Sequence, residues 1–197
     1  MRKPAFIDLI QQVKTITGSI ELVIVGSHCL YAVTDEVPEV VRKSVEADFL
    51  LGPYGVELMA KVNALMGVTS EFFKRTGKYA DALGLATVTL PPGWKERLQP
   101  LVDENGQTIA RCLEIYDAAV SKLMAGRDKD WLFLFYLLDA QLVTLPPLME
   151  RAALILQTAA DGALQPRLEK FLANLQKHHT RYDLTPLHQL IQQLKSQ

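Results

Sequence analysis

The stretch IVGSHCLYAVTDEVPEVVRKSVEADFLL, residues 24–51, contains the end of one predicted strand and the whole of a second. The first is the β-branched run ELVIV, which stops at Gly26, a pattern typical of a buried strand that feeds a turn. HCLYAV then predicts a short helix, and DEVPEV predicts a loop. SVEADFLL alternates apolar and polar side chains, as a half-buried strand does. We therefore expect two strands of one sheet here.

The second predicted strand carries two acids on one face. Glu46 and Asp48 are two residues apart, and the period of two along a strand places both carboxylates on the same side. Like charges held this close repel each other and raise a pKa unless something compensates. Mg²⁺ is the usual compensation, because it prefers hard oxygen ligands and combines one or two carboxylates with water and substrate phosphates. A metal site is one interpretation, and a solvent-facing strand that happens to carry acids is the other.

Gly26 and Ser27 have the properties of a phosphate holder. A glycine permits close approach of the backbone to a ligand, and Ser27 adds a hydroxyl and a backbone N–H at a predicted helix N-terminus. His28 follows directly and is a further candidate for contact with a bound phosphate. An ordinary junction between a strand and a turn would contain the same two residues, so both interpretations stay open.

The rest of the chain predicts more strands and then only helices. A helix is predicted near the N-terminus and another over residues 53–65, with strands at LGLATVTL (83–90) and TIARCLEI (108–115) and a short helix from Trp94 to Leu101. Apolar residues then repeat at helical spacing, which predicts helices at 115–125 and 128–139 and others up to the C-terminus. We expect an α/β (α+β) fold, with a mixed sheet and flanking helices over residues 1–113 and a helical C-terminal part packed on it over 114–197.

Composition restricts the classes of partner. The chain has 197 residues, 49% hydrophobic and 22% charged, which is ordinary for a soluble globular protein. Its net charge of −1 provides no overall basic field, so general DNA binding is disfavoured and a polyanion would need a local patch. Cys29 and Cys112 lie far apart in apolar sequence, as buried thiols of a reducing compartment do. The longest apolar run, WLFLFYLL, is too short to span a bilayer, and we expect a cytoplasmic protein.

Several of these motifs also occur together in known proteins. Gly-Ser at the end of a strand, followed by paired acids on the next, resembles the DNA polymerase beta-type nucleotidyltransferase superfamily. VGS, SVEADFLL, GKYADALGLATVTLPPGWKERL and CLEIYDAAVSKLMAGRDKDWLFL together look like a bacterial domain family of unknown function classed as nucleotidyltransferase-like, from Leu22 to Leu138. The last block is also similar to the lysine-and-acid motif of abortive-infection nucleotidyltransferase toxins. The most specific blocks are LPPGW with Arg97, and Asp117 with Lys122, Arg127 and Asp130.

The resemblance implies a nucleotidyltransferase-like fold and a role for each matched residue. Gly26 and Ser27 would hold a nucleoside triphosphate, and Glu46 and Asp48 would bind Mg²⁺. Lys122 would contact phosphate, with a solvated lysine on the polar side of its helix as the alternative. Members of the superfamily transfer a nucleoside monophosphate, with two metals aligning the attacking hydroxyl and stabilising the leaving pyrophosphate. The acceptor would be a protein or an RNA, in a toxin-antitoxin or defence system.

The sequence departs from the superfamily pattern at the acids. The first acid is usually aspartate, whereas this chain has Glu46, and a third acid commonly lies on a later strand. Glu114, at the end of the last predicted strand, is our candidate for that third position, and Asp130 is expected to be a structural or catalytic acid. A second hypothesis follows from the departure: a catalytically inactive relative that keeps the fold as a binding or antitoxin module.

Overall fold

The structure, a computed structural model, describes residues 1–18, 20–178 and 181–196, with the side chain of residue 178 left out. Within this range it is a mixed α/β fold, which confirms the predicted class. The strands are β1 Val23–Ile24, β2 Glu46–Leu50, β3 Tyr79–Leu83, β4 Gln99–Val102 and β5 Thr108–Cys112. The α-helices are α1 Lys3–Thr17, α2 Glu39–Lys43, α3 Val56–Met66, α4 Glu71–Thr76, α5 Ile115–Ala125, α6 Asp128–Asp139, α7 Leu145–Ala153, α8 Asp161–His178 and α9 Thr185–Lys195.

The five strands of the described chain form one sheet in the order β3-β2-β1-β5-β4. β1 runs antiparallel to β2 and parallel to β5, while β2 and β3 are parallel and β4 and β5 antiparallel. The two parallel pairs are joined by segments that contain helices, as parallel connections require. The order places β2 between the other two elements that matter for the site, β1 and β3.

The third predicted strand is misplaced by a few residues. Tyr79–Leu83 is β3, whereas LATVTL contains the 3₁₀ helix Leu85–Thr87 followed by extended chain. The β-branched residues of LATVTL drew the prediction, but Gly84 lies against Gly52, where an added Cβ at Gly52 would be 2.9 Å from Gly84 Cα. Such close backbone approach is typical of a glycine junction rather than of a strand interior.

The predicted helix from Trp94 to Leu101 is also wrong over much of its length. Only Lys95–Arg97 forms a 3₁₀ turn, and β4 begins at Gln99. Pro100 hid this strand, because proline cannot donate to a ladder and argues against a central strand. β4 is at the edge of the sheet, where Pro100 is tolerated opposite Arg111.

The chain divides into two compact units. The first consists of Met1–Val88 and Lys95–Glu114, and it contains the whole sheet with α1 to α4. The second consists of Thr89–Trp94 and Ile115–Gln197 and contains the remaining helices. The expected boundary, with a core over 1–113 and a helical part packed on it over 114–197, stays a prediction.

Each unit has its own apolar core. In the first, α1 buries one stripe, Phe6, Leu9, Ile10 and Val13, as its spacing predicts. Fully burying such side chains contributes about 1.5–3 kcal/mol each. In the second, Trp131 is 3% exposed and stacks on Phe171 with ring centroids 6.0 Å apart. No helix in the described part of the chain is both long and apolar enough to cross a bilayer.

Candidate functional site

β2 presents its two acids on one side, as its alternation predicts. Ala47 and Phe49 are fully buried, whereas Glu46 and Asp48, which alternate with them, are partly exposed. Successive side chains of a strand point to opposite faces, so the two carboxylates share the more open face. The acids are therefore neither in the apolar core nor entirely in bulk solvent.

β3 brings a third acid to this face. β2 and β3 pair in register, with Glu46 opposite Tyr79 and Asp48 opposite Asp81. Directly opposed residues share a face of the sheet, so Asp81 is the lateral neighbour of Asp48. We call Glu46, Asp48 and Asp81 the acid face.

Asp81 was missed because β3 was predicted too late in the chain. The signal was present, since YADAL repeats the alternation of EADFL, with an aspartate at the matching place. Glu114, our candidate third acid, follows β5, and β1 separates β5 from β2. Asp81, not Glu114, is therefore the acid on the strand next to Asp48.

Gly26 lies directly under the acid face. The backbone N–H of Val25 donates to the carbonyl oxygen of Asp48 at 3.1 Å, which ties the end of β1 to this point of β2. A Cβ built on Gly26 would collide with Asp48 Oδ2 and lie 2.7 Å from its Cγ. The backbone of Gly26 has φ −89°, which any residue can adopt. Glycine is needed here for space, because the Asp48 carboxylate occupies the volume of a side chain.

Ser27 begins a short helix, but this is a 3₁₀ helix and not the α-helix whose N-terminus favours anions. Ser27–Ala32 is a six-residue 3₁₀ helix. Such helices have poorer hydrogen-bond geometry than an α-helix, and this one is too short to supply a helix-dipole site. The proposed phosphate contact at Gly26 and Ser27 thus depends on close backbone approach alone.

The His28 side chain is enclosed among aromatic rings. It is 1% exposed and stacks on Phe6 and Tyr31, with ring centroids 4.7 Å and 6.0 Å away. The suggestion that His28 contacts a bound phosphate is therefore wrong.

Tyr79 is part of the site and was not predicted. Its hydroxyl donates to Glu46 Oε2 at 2.6 Å, and its ring meets Phe73 edge to face at 5.4 Å. Burial raises the pKa of Tyr79, and the hydrogen bond to Glu46 and the negative charges of Glu46, Asp81 and Asp48 raise it further. All three acids of the acid face therefore act on this one phenol.

Lys122 belongs to the second unit, where its partner is Asp130. Its Nζ lies 3.4 Å from Asp130 Oδ1, and the two side chains are 14% and 1% exposed. The alternative of a solvated lysine is therefore wrong. Asp130 also accepts from Arg127 Nε at 2.7 Å and from the Arg127 backbone N–H, which caps α6.

The ionisation of Asp130 follows from these contacts. Burial alone raises its pKa, but the hydrogen bond from Arg127 and the charges of Lys122 and Arg127 outweigh burial, so the pKa is lower than usual. A structural role for Asp130 is thus visible in the fold. A catalytic role stays a proposal.

Asp117 and Trp94, which belong to the most specific sequence blocks, differ in burial. Asp117 is fully buried and pairs with Arg151 Nη1 at 2.6 Å, which ties α5 to α7. Trp94 is half-buried. Cys29 and Cys112 are both fully buried thiols, as expected.

What favours a metal ion at the acid face is that its side chains are carboxylates. In the described part of the chain no three His, Cys, Asp or Glu side chains are grouped closely enough to hold a metal ion. Mg²⁺, however, uses only one or two protein carboxylates when water and substrate phosphates complete its shell. One or two carboxylates of the acid face, such as the opposed Asp48 and Asp81, fit that chemistry.

A family model described as "Nucleotidyltransferase of unknown function (DUF6036)" matches residues 5–142, well over half of the chain. The chain belongs to this family. The resemblance found in the sequence is confirmed, and the matched region is a nucleotidyltransferase-like domain. It includes the entire sheet as well as α5 and α6. No curated protein and no solved structure matches the chain.

Proposed function

We propose that the chain is a Mg²⁺-dependent nucleotidyltransferase whose active site is the acid face beside Gly26. The observation that carries the proposal is the placement of the Asp48 carboxylate directly over Gly26, with Asp81 alongside it in register. A strand ending in glycine next to paired acids provides backbone for a triphosphate and carboxylates for its metal. Membership of a nucleotidyltransferase family supports the same chemistry.

The reaction transfers a nucleoside monophosphate to an acceptor hydroxyl. The acceptor oxygen forms a bond to the α-phosphorus, the bond from that phosphorus to the bridging oxygen breaks, and pyrophosphate leaves. One or two of the carboxylates of Glu46, Asp48 and Asp81 would hold Mg²⁺, which would neutralise charge on the triphosphate and on the leaving group. The acid face would accept the hydroxyl proton during attack.

Other residues of the chain hold these groups in place. Tyr79 restrains Glu46 by donating a hydrogen bond to its Oε2. Glutamate is one methylene longer than the usual aspartate, and this hydrogen bond restrains that extra freedom. Gly26 and Ser27 are proposed to bind the triphosphate. Lys122 is proposed as a phosphate contact, in which case the phosphate would compete with Asp130 for its ammonium group.

The acceptor is proposed to be a protein or an RNA, and the biological setting a toxin-antitoxin or defence system. These details come from analogy with related nucleotidyltransferases and from no contact in the fold. Nucleoside triphosphate is the donor that the family implies.

A second candidate is a catalytically inactive relative that binds a partner. Two observations favour it: no three metal-binding side chains are grouped in the described residues, and one oxygen of Glu46 is already engaged by Tyr79. Such a module would keep the sheet and lose the transfer reaction.

Transfer of label separates the two candidates. Purified protein is incubated with each α-³²P-labelled nucleoside triphosphate, Mg²⁺ and either total RNA or total protein from the host. We expect label on one of these fractions, and a loss greater than about tenfold in Asp48→Asn, since even supporting residues of metal sites cost that much. Asp8→Asn, which alters an exposed acid on α1, should leave transfer unchanged. No label from any nucleotide would contradict the enzyme and favour the inactive module.

A further inference from the structure

A cationic depression lies in the first unit at the edge where β2 and β3 begin. Its volume is about 320 Å³, and no acidic residue is among the described residues that line it. Four cationic side chains surround it: Arg2, Arg42, Lys43 and Lys78. We call this the basic depression.

The fold, not local sequence, assembles these charges. Arg2 precedes α1, Arg42 and Lys43 end α2, and Lys78 precedes β3. Cations at a helix C-terminus are favoured by the helix dipole, which accounts for a pair on α2. The dipole of a five-residue helix does not account for the other two cations, which come from elsewhere in the chain.

Most of this charge has no acid beside it. Lys43 pairs with Glu39 at 2.9 Å. Arg2, Arg42 and Lys78 form no ion pair with any described acid. Gathering like charges in a concave surface costs free energy unless an anion compensates, so the arrangement favours an anionic ligand.

The depression is separate from the acid face. Val45 lines the depression, and Glu46 follows it in the chain. None of Glu46, Asp48, Asp81, Gly26 and Ser27 is among the described residues that line the depression. Metal-bound phosphate at the acid face therefore does not explain these cations.

We propose that the basic depression binds phosphate groups, in a site independent of the nucleotidyl-transfer site. Guanidinium groups match phosphate oxygens in a bidentate geometry, and Lys78 adds a compact charge. With a net charge of −1 the chain has no general attraction for polyanions, so a local patch is the place where one would bind. The phosphate comes either from a polynucleotide backbone or from a small polyphosphate.

Calorimetry in the absence of divalent metal tests the site, because the acid face then has no means to recruit phosphate. The probes are sodium tripolyphosphate and a ten-residue oligouridylate, each titrated into the full chain at several salt concentrations. The test variant is Arg42→Gln with Lys78→Gln. Its matched control is Lys61→Gln with Lys177→Gln, which removes the same charge from two exposed lysines elsewhere.

We expect at least one probe to bind and to lose more than about tenfold in affinity in the test variant, with the control unchanged. For oligouridylate, the negative slope of log affinity against log salt should become less steep by about 1.4 in the test variant, since each single-strand phosphate contact contributes about −0.7. Arg2→Gln, a single substitution at an exposed position, should by itself lower the affinity for the same probe. Binding of oligouridylate alone identifies a polynucleotide, and binding of tripolyphosphate identifies a small polyphosphate. No binding of either probe, or equal weakening in test and control variants, would overturn the proposal.

Discussion

At the residue scale, Gly26 and Asp48 constrain each other. Because the Asp48 carboxylate fills the space of a side chain at position 26, Gly26→Ala should displace that carboxylate and shift the neighbouring backbone. Forcing a methyl group into occupied space typically costs about 1–3 kcal/mol of unfolding free energy. We also expect Mg²⁺-dependent nucleotide affinity to fall. Urea unfolding and nucleotide titration measure the two effects.

Gly162→Ala is the matched control for Gly26→Ala. Gly162 lies in α8, and an added Cβ there meets no atom within 4 Å. Because Gly162 is the second residue of α8, alanine there should stabilise the chain by less than the roughly 0.5–1 kcal/mol that the change gives in a helix interior. If both substitutions gave the same small change in stability and in nucleotide affinity, the close contact between Gly26 and Asp48 would have no consequence.

Tyr79 offers a second test at this scale. Tyr79→Phe keeps the ring beside Phe73 and removes only the hydroxyl that donates to Glu46. The pKa of Tyr79 is raised in the folded chain, so its protonated form stabilises the fold below its ordinary pKa of 10.0. This stabilisation is lost as pH rises above that value.

The difference in unfolding free energy between wild type and Tyr79→Phe should therefore shrink between pH 9 and a pH of about 11. Urea titrations of both proteins across that range measure it. A difference that stays constant with pH would show that the acid face does not act on Tyr79.

At the element scale, Asp130 holds the start of α6 and anchors Lys122. Asp130→Asn removes a nearly buried charge that accepts from Arg127 and pairs with Lys122. Breaking a buried pair costs about 3–5 kcal/mol, and we expect a loss near the lower end because Arg127 is exposed. Asp128→Asn, at an exposed position of the same turn, should cost less than about 1 kcal/mol.

The same pair of variants has a defined pH dependence. The pKa of Asp130 is lowered by folding, so its contribution is present above the ordinary aspartate pKa of 3.8 and is lost as pH falls below it. Thermal unfolding at pH 7 and pH 3 should show a large gap between wild type and Asp130→Asn at the higher pH and a smaller one at the lower. A gap independent of pH would contradict the ion pair.

How far sequence predicted these elements depended on the side chains in them. α5 and α6 have long apolar stripes and were predicted with the observed bounds. β3 and β4 were misjudged because their information is not local: β3 exposes a tyrosine and an aspartate, and β4 contains Pro100. Pairing partners, not propensity, decide such strands.

The candidate site, like the secondary structure, was predicted where the signal is local in sequence and missed where it depends on strand pairing. The period of two along SVEADFLL predicts that Glu46 and Asp48 share one face. The sequence also predicts a turn at Gly26 near these acids, but not the close contact between Gly26 and the Asp48 carboxylate. Asp81 and Tyr79 required the register of β2 with β3, which no single sequence provides. Prediction of Asp130 as the partner of Lys122 would require the geometry of the turn between α5 and α6, in which Arg127 and Asp130 form a capping box.

At the scale of the whole molecule, the segment Thr89–Trp94 belongs to the helical unit although its neighbours in sequence belong to the sheet unit. A fragment that ends at residue 113 would therefore contain Thr89–Trp94 but lack the helices that form the same compact unit. The chain has two tryptophans, so Trp131→Phe makes Trp94 the only indole. We expect its fluorescence emission to be red-shifted in a 1–113 fragment relative to full-length Trp131→Phe, because water reaches the ring. Identical emission would favour a self-contained 1–113 domain.

The central claim is that the acid face binds a nucleoside triphosphate through Mg²⁺. Isothermal titration calorimetry of the full chain with each of the common nucleoside triphosphates at millimolar Mg²⁺ tests it most directly. We predict binding of at least one nucleotide that disappears when Mg²⁺ is removed, falls more than about tenfold in Asp48→Asn and Asp81→Asn, and persists in Asp8→Asn. Absence of binding to every nucleotide, or binding that both acid-face variants retain, would contradict the account.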